Sequence, residues 1–98
     1  MANLSRRAAS DVVAILKRTA KEWGRDVALE LEAAFTEKFE KIFVGIAQGH
    51  TRLDAKPKRP LLFENMDHYP FVIAFEPRSR RIVRVIYAGR NMPDIFRR

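Results

Sequence analysis

The apolar residues of this 98-residue chain change their spacing once, across His50 to Pro60, and that change limits the fold more than any other feature. Before it, apolar positions recur every three or four residues, the period of a helix face. After it they alternate, the period of a strand. The stretch itself, Thr51-Arg52-Leu53-Asp54-Ala55-Lys56-Pro57-Lys58-Arg59-Pro60, is polar, basic and carries two prolines, so it reads as an exposed loop. Helices are therefore segregated ahead of strands, which is the order of an α+β domain with helices covering an antiparallel sheet.

Ser5 can offer its side-chain oxygen to the free N–H groups of a first helical turn, and Gly24 tolerates the positive φ common after a last one. Between them Ala9, Val12, Leu16, Ala20 and Trp23 share one face, which predicts a helix over residues 6–23. Asp26 suits the N-terminal dipole of a second helix. Its apolar stripe runs through Val27, Leu31, Ala34, Phe35, Phe39, Ile42, Phe43 and Ile46 to a stop at Gly49. Glu37 and Lys41 stand four apart in the favourable order. With Gly24 as the main break, the two helices form an antiparallel hairpin.

Beyond residue 60 the strand candidates are Leu61–Glu64, the run Phe71-Val72-Ile73-Ala74-Phe75 preceded by Tyr69-Pro70, and Ile82 to Ala88. Pro70 must stand at a strand start because it cannot donate to a ladder. Pro77-Arg78-Ser79-Arg80 is turn chemistry. A brief extra strand is expected at Ala2–Leu4. In the last strand Val83, Val85 and Tyr87 alternate with Ile82, Arg84 and Ile86. Two helices can cover only one face of the sheet, so the other, carrying either Phe71 and Ile73 or Val72 and Ala74, is expected to be open. Residues 1–98 thus read as one domain, a helical hairpin on three or four antiparallel strands.

An apolar fraction of 47% is enough for a core. The chain has no cysteine, which removes disulfides and thiolate metal sites, and two histidines, His50 and His68, are too few for a structural zinc. No metal or cofactor is expected. Asp11 interrupts the early apolar segment, which is too short for a membrane span, so a soluble cytoplasmic protein is expected. There is no Gly-rich phosphate loop and no nucleophile–base pair, which argues against a metabolic enzyme. The net charge of +7 is lopsided: residues 1–48 carry eight basic against seven acidic side chains, and residues 49–98 eleven against five. Such asymmetry suits a polyanion or an acidic protein partner.

The residues Phe71-Val72-Ile73-Ala74-Phe75 resemble the central strand of ParE/RelE-type toxins, and Ile82-Val83-Arg84-Val85-Ile86-Tyr87-Ala88-Gly89-Arg90-Asn91 resembles their last strand and tail. Leu4-Ser5, Ala8 and Asp11 stand at the family's Leu-Ser-x-x-Ala-x-x-Asp spacing, and Trp23-Gly24 followed by Ala28 looks like its turn between helices. Tyr87 replaces a common His, Asn91 a common Asp, and Asn65-Met66-Asp67-His68 stands where a Gly-x-Arg segment is usual.

The resemblance implies the toxin of a bacterial type II toxin–antitoxin pair, in one of two forms. RelE-like members cleave mRNA in the ribosome; ParE-like members poison DNA gyrase by binding. In the RelE pattern an Arg at the end of the last strand is followed six residues later by a Tyr. Arg90 matches the Arg, but Phe96 stands in the Tyr position and has no proton to exchange. The basic Lys56, Lys58 and Arg59 resemble the RNA-gripping segment of ribonuclease members, while His68 and Tyr87 read as a solvated turn residue and a packing residue. The ParE form is therefore preferred, with the mRNA interferase as the alternative and no catalytic residue assigned. A basic nucleic-acid-binding module ranks third, since no helix carries a one-sided cationic face.

On the ParE reading, Arg84, Arg90, Asn91, Arg97 and Arg98 are the expected target-binding residues, with guanidinium forks suited to carboxylates or phosphates. Met92, Pro93, Ile95 and Phe96 form an apolar tail that either joins them or folds back onto the core. Arg84 is either a contact under the antitoxin or the partner of a buried carboxylate such as Glu76. The resemblance also implies a ParD-type antitoxin wrapping the chain as a helix and an added strand in a hetero-oligomer. Val72, Ala74, Arg78 and Arg80 are the residues expected to meet it.

Overall fold

The computed structural model describes residues 2–52 and 57–89. Two helices, α1 (Arg6–Trp23) and α2 (Arg25–Phe43), precede three strands, β1 (Leu62–Asn65), β2 (Phe71–Phe75) and β3 (Ile82–Tyr87). The sheet is antiparallel in the order β1-β2-β3, and α1 packs on both α2 and β3. This is the expected α+β architecture.

Ser5 anchors α1 at its start. Its Oγ accepts the Ala8 N–H and donates to the Val83 carbonyl, both at 3.0 Å, and its backbone N–H donates to the Ile82 carbonyl at 2.8 Å. One residue therefore caps the helix and fixes its start to β3. The expected N-terminal strand reduces to a single parallel bridge between Leu4 and Ile82.

The buried face of α1 differs from the expected one. Ala8 is its fully buried residue, and Asp11, Val12, Ile15, Leu16 and Thr19 are half-buried around it, whereas Ala9, Ala20 and Trp23 face out. The physical reason is Asp11, a charged residue on the inward face, which hides the true period from a count of apolar positions.

α2 also ends earlier than its apolar stripe predicts. Its backbone stops at Phe43, and Gly45 takes φ 87° just beyond, the left-handed conformation that closes many helices. Leu31, Phe35, Phe39 and Ile42 fill the core, while Phe43 and Ile46 are left 40% and 72% exposed. The α2 C-terminus is then held from across the fold. Arg80, at φ 59°, donates from Nε to the Ile42 carbonyl and from Nη2 to the Ala47 carbonyl, with its guanidinium 4.9 Å from the Phe75 ring centroid. A cation on the last carbonyls of a helix is favoured by charge and geometry alike.

The helix-side core joins Leu31, Phe35, Phe39 and Ile42 to Ile73, Phe75, Ile82 and Val85. Val83 is the extra residue where the register shifts opposite Ala74 and Phe75. This bulge breaks the simple alternation in β3, so that Ile82 joins Val85 on the helix side and Val83 joins Ile86 on the other. The second face is not open. Leu61, Phe63, Val72, Ala74, Val83 and Ile86 form a buried cluster of their own, with Val72 and Ala74 at 1% and 0% exposure.

Candidate functional site

β3 is an edge strand of the described sheet, and among the described residues the start of α1 and the segment before it cover that edge only as far as Val85. Asn3 and Ser5 take the outward backbone groups of Ile82, and Asp11 takes the next, its Oδ2 accepting the Val85 N–H at 2.9 Å. The same carboxylate holds Arg84, with Nε to Oδ2 at 2.9 Å and Nη2 to Oδ1 at 3.4 Å. Alternation along a strand makes Tyr87 the next residue with outward backbone groups. Those groups have no backbone partner among the described residues.

Where the seal stops, a groove of about 840 Å³ opens between α1, the start of α2, the β1–β2 turn and the end of β3. Its rim and floor are aromatic: Trp23 closes α1, Tyr69 and Phe71 flank Pro70, and Tyr87 ends β3. Phe71 sits edge-on to Tyr87 at 6.0 Å and packs on Phe35 at 5.7 Å, which ties the floor to the core. Trp23 and Tyr87 are 72% and 51% exposed. The charges lining the groove are paired within it, Arg84 with Asp11 and Arg18 with Glu22 at 3.0 Å. A half-sealed strand edge beside an apolar, charge-compensated groove suits an extended or helical peptide with apolar side chains, bound by backbone hydrogen bonds and buried area.

A second polar cluster is structural. Lys38, buried on α2, sits 3.3 Å from Asp67 and 3.9 Å from Glu64, and Glu64 accepts the Gly49 N–H at 3.1 Å. It ties α2 to β1 and to the loop that enters it. No group of three or more potential metal ligands occurs among the described residues.

The residues singled out from sequence are dispersed. Arg84 lines the groove, and its partner is Asp11, not Glu76, which pairs with Arg59 at 3.2 Å. Val72 and Ala74 are buried in the second core cluster, so in this conformation neither offers a surface to a partner. Arg80 is engaged in closing α2, whereas Arg78 is exposed in the hairpin turn. Arg90, Asn91, Arg97 and Arg98, with the tail around Phe96, lie outside the described residues. Sequence reasoning assigned Trp23 to the core and gave Tyr69 and Tyr87 no role in binding. The available signal was an aromatic residue in the last turn before a helix-ending glycine, flanked by Lys21 and Glu22.

No family model matches the chain, and no curated protein matches it. Among solved structures it is similar to a chain described as the chromosomal ParDE TA system from P. aeruginosa. The TM-score is 0.69 at 22% identity, over 91% of this chain and 98% of the other. The likeness is one of fold, covers nearly the whole of both chains, and agrees with the architecture read from the sequence.

Proposed function

We propose that the chain is a ParE-like toxin of a type II toxin–antitoxin pair, which inhibits DNA gyrase by binding it and is neutralised by a ParD-type antitoxin lodged in the α1–β3 groove. The observation that carries the reading is the match of almost the whole fold to a chain of a ParDE system, and an aromatic-lined groove beside a strand edge supports it. An antitoxin segment that adds a strand along Tyr87 and places apolar side chains against Trp23 and Phe71 would use both features of that groove. Because the groove's own charges are paired, an acidic antitoxin would gain from the basic surface elsewhere mainly in its rate of encounter.

The mRNA-cleaving alternative requires a free cation and a proton donor converging on one phosphate. Phe96 stands six residues after Arg90, where the tail would need a tyrosine. The test is to present the purified chain in parallel to DNA gyrase and to translating ribosomes. Cleaved DNA accumulating on gyrase with mRNA intact supports the proposal. Ribosome-dependent mRNA cleavage with supercoiling unaffected overturns it.

A further inference from the structure

The end of the molecule opposite the groove carries a second exposed apolar patch that the reading above leaves without a role. Because α2 stops at Phe43, the residues Phe43, Val44 and Ile46 project from the turn that follows it, 40%, 61% and 72% exposed. This knuckle is held firmly. Gly45 supplies the positive φ at its centre, and Arg80 bonds the carbonyls of Ile42 and Ala47 on either side of it. The same arginine brings the β2–β3 hairpin turn alongside. Arg78 and Arg81 of that turn are exposed, and neither guanidinium has an ion-pair partner among the described residues. Along α2, Val27 of the groove and Phe43 of the knuckle are sixteen residues apart, roughly 24 Å at 1.5 Å per residue.

An apolar knob next to a hairpin turn with two exposed arginines, neither ion-paired among the described residues, is complementary to an apolar pocket with a carboxylate rim. A nucleic acid would use the arginines but would gain nothing from Val44 and Ile46. A second copy of this chain would bring the same cations to the same place, since a two-fold interface sets like against like. We propose that the knuckle and hairpin together form the face that grips the target protein, at an acidic-rimmed apolar pocket, while the groove at the other end holds the antitoxin. The inference rests on the toxin reading, deepens it by assigning the target-binding face, and implies that antitoxin and target occupy separate ends.

The test measures binding of the full chain to immobilised DNA gyrase holoenzyme, with Ile46→Asp, the pair Arg78→Glu with Arg81→Glu, and Val13→Ala as variants. All these side chains are exposed, and melting curves confirm that each variant is folded. Ile46→Asp weakens binding by about 30-fold or more, mainly through faster dissociation. The double arginine variant slows association and flattens its salt dependence. Val13→Ala, an exposed position on α1 outside both the groove and the knuckle, binds gyrase as the unaltered chain does. Equal binding by all the variants overturns the assignment, and so does a wild-type dimer in light scattering that Ile46→Asp dissociates. If the unaltered chain itself fails to bind gyrase, it is the functional reading that fails, and the assignment falls with it.

Discussion

The carboxylate of Asp11 meets the guanidinium of Arg84 at 2.9 Å across the seam between α1 and β3, and the same oxygen accepts the Val85 N–H. Arg84 and Asp11 are only 17% and 15% exposed. Removing the carboxylate leaves a largely desolvated cation and a strand-edge N–H without their acceptor, and such orphaned groups cost more than the intact pair contributes. Asp11→Ala is expected to lower the unfolding free energy by about 2–4 kcal/mol in a urea titration. The double variant Asp11→Ala with Arg84→Met is expected to recover more than half of that loss. A single variant as stable as the unaltered chain contradicts this view of the seam.

Arg80 is the comparable tie at the other end. Arg80→Ala removes two donors from carbonyls at the close of α2 and a cation from the face of Phe75, with an expected cost of about 1–3 kcal/mol. Arg80→Lys should recover less than half, because one ammonium cannot reproduce a fork that reaches both the Ile42 and Ala47 carbonyls. Equal stability of the Lys variant and the unaltered chain would reduce the role of Arg80 to charge alone.

Two glycines in the same region separate conformation from space. Gly45 has φ 87° and nothing within 4 Å of an added methyl group, so Gly45→Ala is expected to cost about 1 kcal/mol. Gly49 has φ 76°, and its added methyl group would fall 2.6 Å from Phe75 Cζ, an atom of the buried core. Gly49→Ala should therefore cost at least about 2 kcal/mol more than Gly45→Ala, read as the difference between two melting curves.

Element types and order could be read from the sequence because each rests on local chemistry. Ser5 and Gly24 delimit α1, and the period-two runs give β2 and β3. What could not be read depends on which residues meet across the fold. Asp11 on an inward helix face looks like a solvated charge until Arg84 and Val85 are placed against it. Phe43 and Ile46 continue the apolar period of α2 perfectly well, and only the turn at Gly45 takes them out of the core. The second sheet face looked open because two helices cannot cover two faces, yet Val72 and Ala74 are buried. The groove was hidden for the same reason. Trp23, Tyr69 and Tyr87 come from three separate segments, and nothing in the spacing of one segment reports its distance from another.

Trp23 tests the groove with little disturbance to folding, since it is 72% exposed. Trp23→Ala is expected to change the melting midpoint by no more than a surface substitution does. It is expected to weaken binding of the antitoxin by about 30-fold or more, as loss of a central aromatic anchor does. Titration calorimetry with the purified antitoxin checks both the affinity and a negative heat-capacity change from apolar burial. Undiminished affinity would move the antitoxin to another surface.

The most direct test of the central claim is a supercoiling assay with purified DNA gyrase, run with the chain alone and with the chain premixed with its antitoxin. The account predicts loss of supercoiling with accumulation of cleaved DNA, and full recovery of supercoiling in the premixed sample. Undisturbed supercoiling at a large excess of folded chain would contradict it.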